Sequence, residues 1–183
     1  MTGHHLILGE LDDFITGETI NDTDDERYRQ KIARLLVNQK GYLKSDIEPR
    51  RKLMVKADDR EAIVKIDFVI NVLNRIGMII KFGPGSIVTR RRPTLAASRL
   101  LTSYQIPIAV VTNGKDAEIL NGLSGNVLSQ GLEMMPSRSE LKRIAEQDDF
   151  NTISNQQAEI ESRILYCYEV DGSCPCDEDI CRL

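Results

Sequence analysis

The chain has 183 residues, 41% of them hydrophobic and 28% charged, which is the composition of an ordinary globular protein of about one domain. It excludes a disordered chain, a collagen and a long coiled coil. The apolar runs are far shorter than the ~20 residues of a membrane span, and the first residues lack the basic and apolar regions of a signal peptide, so we expect a cytoplasmic protein without a membrane partner.

Charge is distributed unevenly along the chain. Residues 1–25 hold seven acidic residues and no Lys or Arg, and residues 144–183 hold ten acidic and two basic residues. Residues 26–143 between them hold 22 basic and 11 acidic residues. A basic body is the electrostatic footprint of a nucleic-acid binder. The alternative is that the acidic ends simply neutralise the body.

The first predicted elements are an acidic arm and a helix. Residues 1–22 are weakly periodic, which indicates a loose or docked arm. Thr23 and Glu26 have the spacing of a capping box, and apolar residues follow at helical spacing until Gly41. We therefore predict a helix from residue 23 to residue 41.

The middle of the chain reads as strands around one helix. Apolar alternation or continuous apolar runs predict strands over residues 52–56, 63–72, 78–82, 107–112, 116–120 and 126–128. Asn113-Gly114 is a strong hairpin signal. Helices are expected over residues 87–101, 137–147 and 158–166. This order predicts an α/β fold with a mixed central sheet flanked by helices.

Three segments in this order resemble the N-terminal domain of the type I restriction enzyme R subunit. Residues 25–36 with Gly41-Tyr42 resemble its opening helix, residues 65–70 its strand with the first catalytic Asp, and residues 107–120 its strand and hairpin with Thr-Asn-Gly. The resemblance spans roughly residues 23–130. It implies the restriction-endonuclease-like fold of PD-(D/E)xK nucleases, with DNA as the partner.

The resemblance implies a divalent-metal-dependent DNA endonuclease. Mg²⁺ held by carboxylates polarises the phosphate and generates hydroxide. The implied catalytic residues are Asp67, as the magnesium ligand, and Lys81 at the phosphate. The second acid of the motif is absent, because its position falls on Ile80 when the strand is aligned on Pro84. It falls on Ile79 when Lys81 is taken as the lysine.

Two other carboxylates are candidates for the missing acid: Glu26 on the opening helix and Glu48 before the first strand. In the alternative interpretation, Glu26 belongs to the capping box, Glu48 is a solvated loop residue, and Asp67 is a surface acid paired with Lys65 or Lys81. Catalysis is then lost, and the chain is a non-catalytic DNA-binding or adaptor protein.

A glycine-rich turn offers a different site. Residues 83–86 end in Ser86 and lead to a helix whose start carries Arg90, Arg91 and Arg92. Backbone N–H groups and clustered cations of this kind can hold a DNA phosphate. The alternative is a plain strand-to-helix turn with solvated arginines.

All four cysteines lie near the C-terminus. They are Cys167, Cys174, Cys176 and Cys181. Without a secretory signal, four thiolates indicate zinc or an iron–sulfur cluster, and hence a possible redox sensor, although the spacing matches no common zinc finger. Free or redox-active thiols are the alternative.

The sequence identifies no protein partner. On the grounds above we divide the chain into four parts. The parts are an acidic arm (1–22), a nuclease-like domain (23–133), C-terminal helices (134–166) and an acidic Cys-rich tail (167–183).

Overall fold

The computed structural model describes residues 6–171 and the backbone of residues 181–182, and these residues form four α-helices and nine β-strands. In chain order they are β1 (Gly9–Asp12), β2 (Thr19–Asp22), α1 (Asp24–Asn38), β3 (Ile47–Ala57), β4 (Arg60–Val72), β5 (Arg75–Phe82), α2 (Arg91–Leu100), β6 (Ile108–Thr112), β7 (Ala117–Asn121), β8 (Val127–Gln130), α3 (Arg138–Gln147), α4 (Asn155–Tyr166) and β9 (Cys181–Arg182). A π-helical turn, Cys167–Asp171, follows α4 directly.

A mixed sheet organises the fold. Its strands lie in the order β3-β4-β5-β6-β7-β8, and every neighbouring pair is antiparallel except β5 and β6, which are parallel. β9 pairs with β4 at Ala62 and Ile63, and β1 and β2 form a separate hairpin. The mixed sheet with flanking helices confirms the predicted α/β fold class.

The boundaries of the first elements differ from the prediction. The hydroxyl of Thr23 accepts a hydrogen bond from the Glu26 backbone N–H and begins α1 as expected, but α1 ends at Asn38, three residues before Gly41. Within the predicted loose or docked arm, residues 9–22 form the β1–β2 hairpin. β3 starts at Ile47 instead of residue 52, since an edge strand tolerates its proline.

Two hydrophobic cores lie on opposite faces of the sheet. On β5, Met78 and Ile80 pack in the first core, while Ile79 between them packs in the second. Helices α1 and α3 cover the first core, and α2 and α4 cover the second. None of the helices among residues 6–171 is long and apolar enough to cross a bilayer.

The strand β4 contributes residues of the same parity to both cores. Val64 and Ile66 pack in the second core, whereas Phe68 and Ile70 pack in the first. Alternate residues of a regular strand share one face. The strand therefore rotates about its own axis at Asp67, between these two pairs.

The partner strand turns at the same level. On β3, Arg50 has a φ of 54°, a left-handed conformation that is uncommon for a residue other than glycine. The strand pairing is regular on both sides, at Pro49 with Phe68 and at Arg51 with Ile66. The β3–β4 hairpin thus changes its inward face midway, and this change points Asp67 towards α1 and the end of β5.

The turn between β6 and β7 lies against α1 through Gly114. Gly114 has a φ of 80°, and a Cβ atom at this position would come within 2.4 Å of the Tyr28 ring. Tyr28 in turn stacks on Phe82 at the end of β5, with ring centroids 5.9 Å apart. The predicted hairpin is present, and its glycine allows close contact between the turn, the opening helix and β5.

We predict that Gly114→Ala destabilises the protein by about 2–3 kcal/mol, from left-handed strain together with the clash against Tyr28. Gly17→Ala is the matched control, because Gly17 has a φ of 77° but nothing within 4 Å of the added Cβ. Its expected cost is about 1 kcal/mol from strain alone. Urea unfolding of both variants measures the difference. Equal losses would show that the contact with Tyr28 is unimportant.

Candidate functional site

The strands β4 and β5 separate at one end of their pairing, and the carboxylate of Asp67 lies between them there. Their regular pairing ends at Phe68 and Ile80. Past that point the Oδ2 atom of Asp67 accepts a hydrogen bond from the backbone N–H of Phe82 at 2.7 Å. β5 continues beside β6 as a parallel strand. Asp67 thus lies near the carboxyl ends of two parallel strands, where α/β sheets commonly bind ligands.

Asp67 is buried and ion-paired with the opening helix. Only 7% of the residue is exposed, and its Oδ1 atom accepts a hydrogen bond from Arg29 Nε at 2.6 Å. The same guanidinium lies 3.6 Å from the Glu26 carboxylate and 5.2 Å from the centroid of the Phe82 ring. Arg29 therefore stands between two carboxylates, and both oxygens of Asp67 accept hydrogen bonds.

A second group of polar side chains continues this network towards the β1–β2 hairpin. Gln30 Nε2 donates to Glu26 at 2.8 Å and to Asp13 at 3.0 Å, and Arg50 donates to Asp13 at 2.8 Å. Burial raises the pKa of Asp13, but hydrogen bonds from the backbone of Thr16 and from Arg50 outweigh it and lower the pKa to about 2. Arginines and an amide therefore separate the three carboxylates.

Lys81 lies on the other side of the sheet, opposite the side chains of Ile80 and Phe82. Its ammonium donates to the Lys65 carbonyl and to the Glu169 carboxylate, both at 2.9 Å. Burial lowers the pKa of Lys81, but the negative charges of Glu169 and Asp67 outweigh it, and the pKa is raised above its usual value. Lys81 is therefore a buried cation at neutral pH.

The two candidate replacement acids lie in different surroundings. Glu26 connects to Asp67 through Arg29, and its carboxylate accepts from Gln30. Glu48 lies on β3, with its side chain 41% exposed, and accepts a hydrogen bond from Arg51 at 2.8 Å. Within residues 6–171, the contacts of Glu48 do not bring it to Asp67. The structure therefore joins only Glu26 to the network of Asp67.

The donor set at Asp67 does not fit a magnesium ion. Mg²⁺ prefers carboxylate and water oxygens, but both oxygens of Asp67 are engaged and a guanidinium lies alongside. The position of the second acid falls on Ile80 or Ile79, and both are fully buried, in the first and the second core respectively. No group of three or more His, Cys, Asp or Glu residues in the described part of the chain has the arrangement of a metal site.

The cysteine prediction falls mostly outside the described residues. Cys167 is an exposed free thiol in the turn after α4. Cys174 and Cys176 lie outside the described residues, and only the backbone of Cys181 is described, in β9. Binding of zinc or an iron–sulfur cluster by these four residues stays a prediction.

The predicted phosphate-binding arginines have separate environments. Arg91 pairs with Glu118 of β7, and Arg92 pairs with the buried Glu161 of α4. The Arg90 guanidinium lies over Gly83, where an added Cβ atom would come within 2.2 Å of it. Helix α2 begins only at Arg91. Arg90 thus lies against the residue that follows β5, whereas Arg91 and Arg92 pair with acids of β7 and α4.

The Ser86 prediction concerns the turn before α2. The Ser86 carbonyl accepts a hydrogen bond from the Thr89 hydroxyl at 3.1 Å, and Ser86 itself is exposed. Phosphate binding by Ser86 and Arg90 stays a prediction.

Sequence reasoning missed two charged residues of the site, Arg29 and Glu169. Arg29 is 38 residues from Asp67, and Glu169 is 88 residues from Lys81. Arg29 falls within the segment that resembles the opening helix, but no spacing rule pairs it with Asp67. Nothing in the sequence around Glu169 distinguishes it from the other acids near the C-terminus.

A mixed α/β sheet with a buried carboxylate and a lysine where two strands separate is consistent with a nuclease-like domain. Residues 24–136 match the family described as Type I restriction enzyme R protein N terminus. The chain therefore belongs to this family. No curated protein and no solved structure matches it. The matched range contains Arg29, Asp67 and Lys81 but ends before Glu169.

Proposed function

We propose that this protein binds the phosphate backbone of DNA at the carboxyl ends of β5 and β6 and does not cleave it by a metal-dependent reaction. The position of Arg29 between Asp67 and Glu26 carries this proposal. A nuclease of this fold needs its carboxylates to share a divalent ion. Here two carboxylates share a guanidinium instead.

Surface cations near the site support DNA as the ligand. Lys115 is exposed in the β6–β7 turn, and Arg90 lies over the chain just after β5. The Asn113 amide donates to the Gly85 carbonyl at 3.2 Å and holds the two turns together. Both cations therefore flank the same edge of the sheet. Contacts of this kind bind phosphates without reading sequence.

The proposal is tested with a fluorescent duplex and a supercoiled plasmid. We expect salt-sensitive binding of the duplex and no nicking of the plasmid by a large excess of protein with Mg²⁺ or Mn²⁺. Replacing both Lys115 and Arg90 with Gln should weaken binding about tenfold and reduce the slope of log K against log salt by about 2. Arg143→Gln on α3 is a control with one exposed cation removed.

Two outcomes would contradict the proposal. Nicking that disappears in Asp67→Ala would show a working nuclease site. Absence of duplex binding at low salt would favour the adaptor role, in which the acidic ends mask the basic body.

A further inference from the structure

The turn after α4 places an acidic side chain in the site. Glu169 lies in the π-helical turn Cys167–Asp171 and reaches Lys81 on β5 with a 2.9 Å hydrogen bond. The next residue, Val170, is fully buried in the second core and anchors the turn. The contact is therefore built into the fold between α4 and the sheet.

Glu169 occupies a position suited to a phosphate oxygen. The Lys81 ammonium has three donors, of which one goes to the Lys65 carbonyl and one to Glu169. Phosphate and carboxylate oxygens are both anionic acceptors for an ammonium, at similar distances. An incoming phosphate would compete with Glu169 for the same donor.

The segment around Glu169 has the charge needed for such competition. Residues 144–183 hold ten acidic and two basic residues, so they repel DNA and are attracted to the basic body. Asp171 makes a second contact, with Arg60 at 3.0 Å, but both partners are about half exposed. An exposed pair of this kind contributes little. The buried pair of Glu169 with Lys81 is thus the principal contact of the turn with the site.

We infer that Glu169 is an autoinhibitory group, a carboxylate held on Lys81 in the place of a DNA phosphate and displaced when DNA binds. The inference rests on the proposed DNA binding. Displacement breaks the hydrogen bond that ties the turn to β5 and loosens the turn backbone, while Val170 stays packed in the second core. The turn then lowers the affinity for DNA without blocking the outer cations Arg90 and Lys115.

The test compares Glu169→Gln with Asp171→Asn, since each variant removes one negative charge from the same turn. Glu169→Gln should bind a fluorescent duplex about five- to tenfold more tightly, with an unchanged salt slope, because both proteins make the same phosphate contact once Glu169 is displaced. Asp171→Asn should change affinity less than about twofold, as expected for an exposed pair. Thermal melting establishes that both variants are folded.

Hydrogen exchange of the wild-type protein gives a second measurement that needs no variant. Saturating duplex should accelerate exchange of a peptide containing residues 167–171. Slower or unchanged exchange would overturn the inference. So would equal affinities of the wild type and a folded Glu169→Gln, with DNA binding itself intact. If neither protein binds DNA at low salt, the proposed function fails and this inference fails with it.

Discussion

Arg29→Leu is expected to destabilise the protein by about 3–5 kcal/mol, because it leaves the buried Asp67 carboxylate without its guanidinium partner. The double variant Arg29→Leu with Asp67→Asn should recover about 2 kcal/mol or more, since the amide needs no counter-ion and can still accept from the Phe82 N–H. Urea unfolding of the two single variants, the double variant and the wild type gives the coupling between the two residues.

The same helix supplies a matched control. Arg27 pairs with Asp22 in the same way, but its side chain is 55% exposed, and Arg27→Leu should cost less than about 1 kcal/mol. Equal losses for Arg27→Leu and Arg29→Leu would show that the buried pair does not hold the site together.

Removing Arg29 also tests the argument about metal binding. Without the guanidinium, the bridge that Arg29 forms between the carboxylates of Asp67 and Glu26 is lost. Millimolar Mg²⁺ should therefore raise the melting temperature of Arg29→Leu more than that of the wild type. An equal shift would mean that Arg29 does not stand in place of a divalent ion.

Glu161→Ala is the second substitution with a large expected effect. Glu161 is fully buried between α2 and α4 and accepts hydrogen bonds from Arg92, Arg99 and Gln157. Its loss leaves two arginines without a counter-ion in a packed contact, which should cost about 3–5 kcal/mol. Glu159→Ala, on the exposed side of the same helix, should change the free energy of unfolding by less than about 0.5 kcal/mol.

Lowering the pH should reduce the difference in free energy of unfolding between the wild type and Glu161→Ala. Burial raises the pKa of Glu161, but hydrogen bonds from Arg92 and Arg99 outweigh it and hold the pKa below its usual value. A depressed pKa stabilises the fold fully above the unfolded value of about 4.3, and the contribution is lost as pH falls through the folded value. A constant difference from pH 7 down to pH 3 would contradict this assignment.

The sequence predicted those parts of the fold that depend on local patterns. Thr23 marked the start of α1 because a hydroxyl cap is a local signal, and the apolar runs of β5 and β6 marked strands buried on both faces. The β1–β2 hairpin was missed because its residues are mostly exposed and polar, so it carries no alternation. The early start of β3 was missed because pairing with β4, not local preference, extends it.

The sequence predicted individual residues of the site but not the partners that contact them. The resemblance identified Asp67 and Lys81, and the structure places both where β4 and β5 separate. It could not identify the partners, since tertiary packing brings Arg29 and Glu169 to them from distant positions. The same limit applies to Arg92, which looks like a surface cation in sequence but pairs with a buried acid.

The rotation of the β3–β4 hairpin at Arg50 and Asp67 has a consequence for how the molecule comes apart. The strand β4 contributes buried residues to both hydrophobic cores, so unfolding of one core disrupts the packing of the other. Such coupling favours all-or-none unfolding. It also means that a fragment lacking β3 or β4 loses residues from both hydrophobic cores and has no independently stable core.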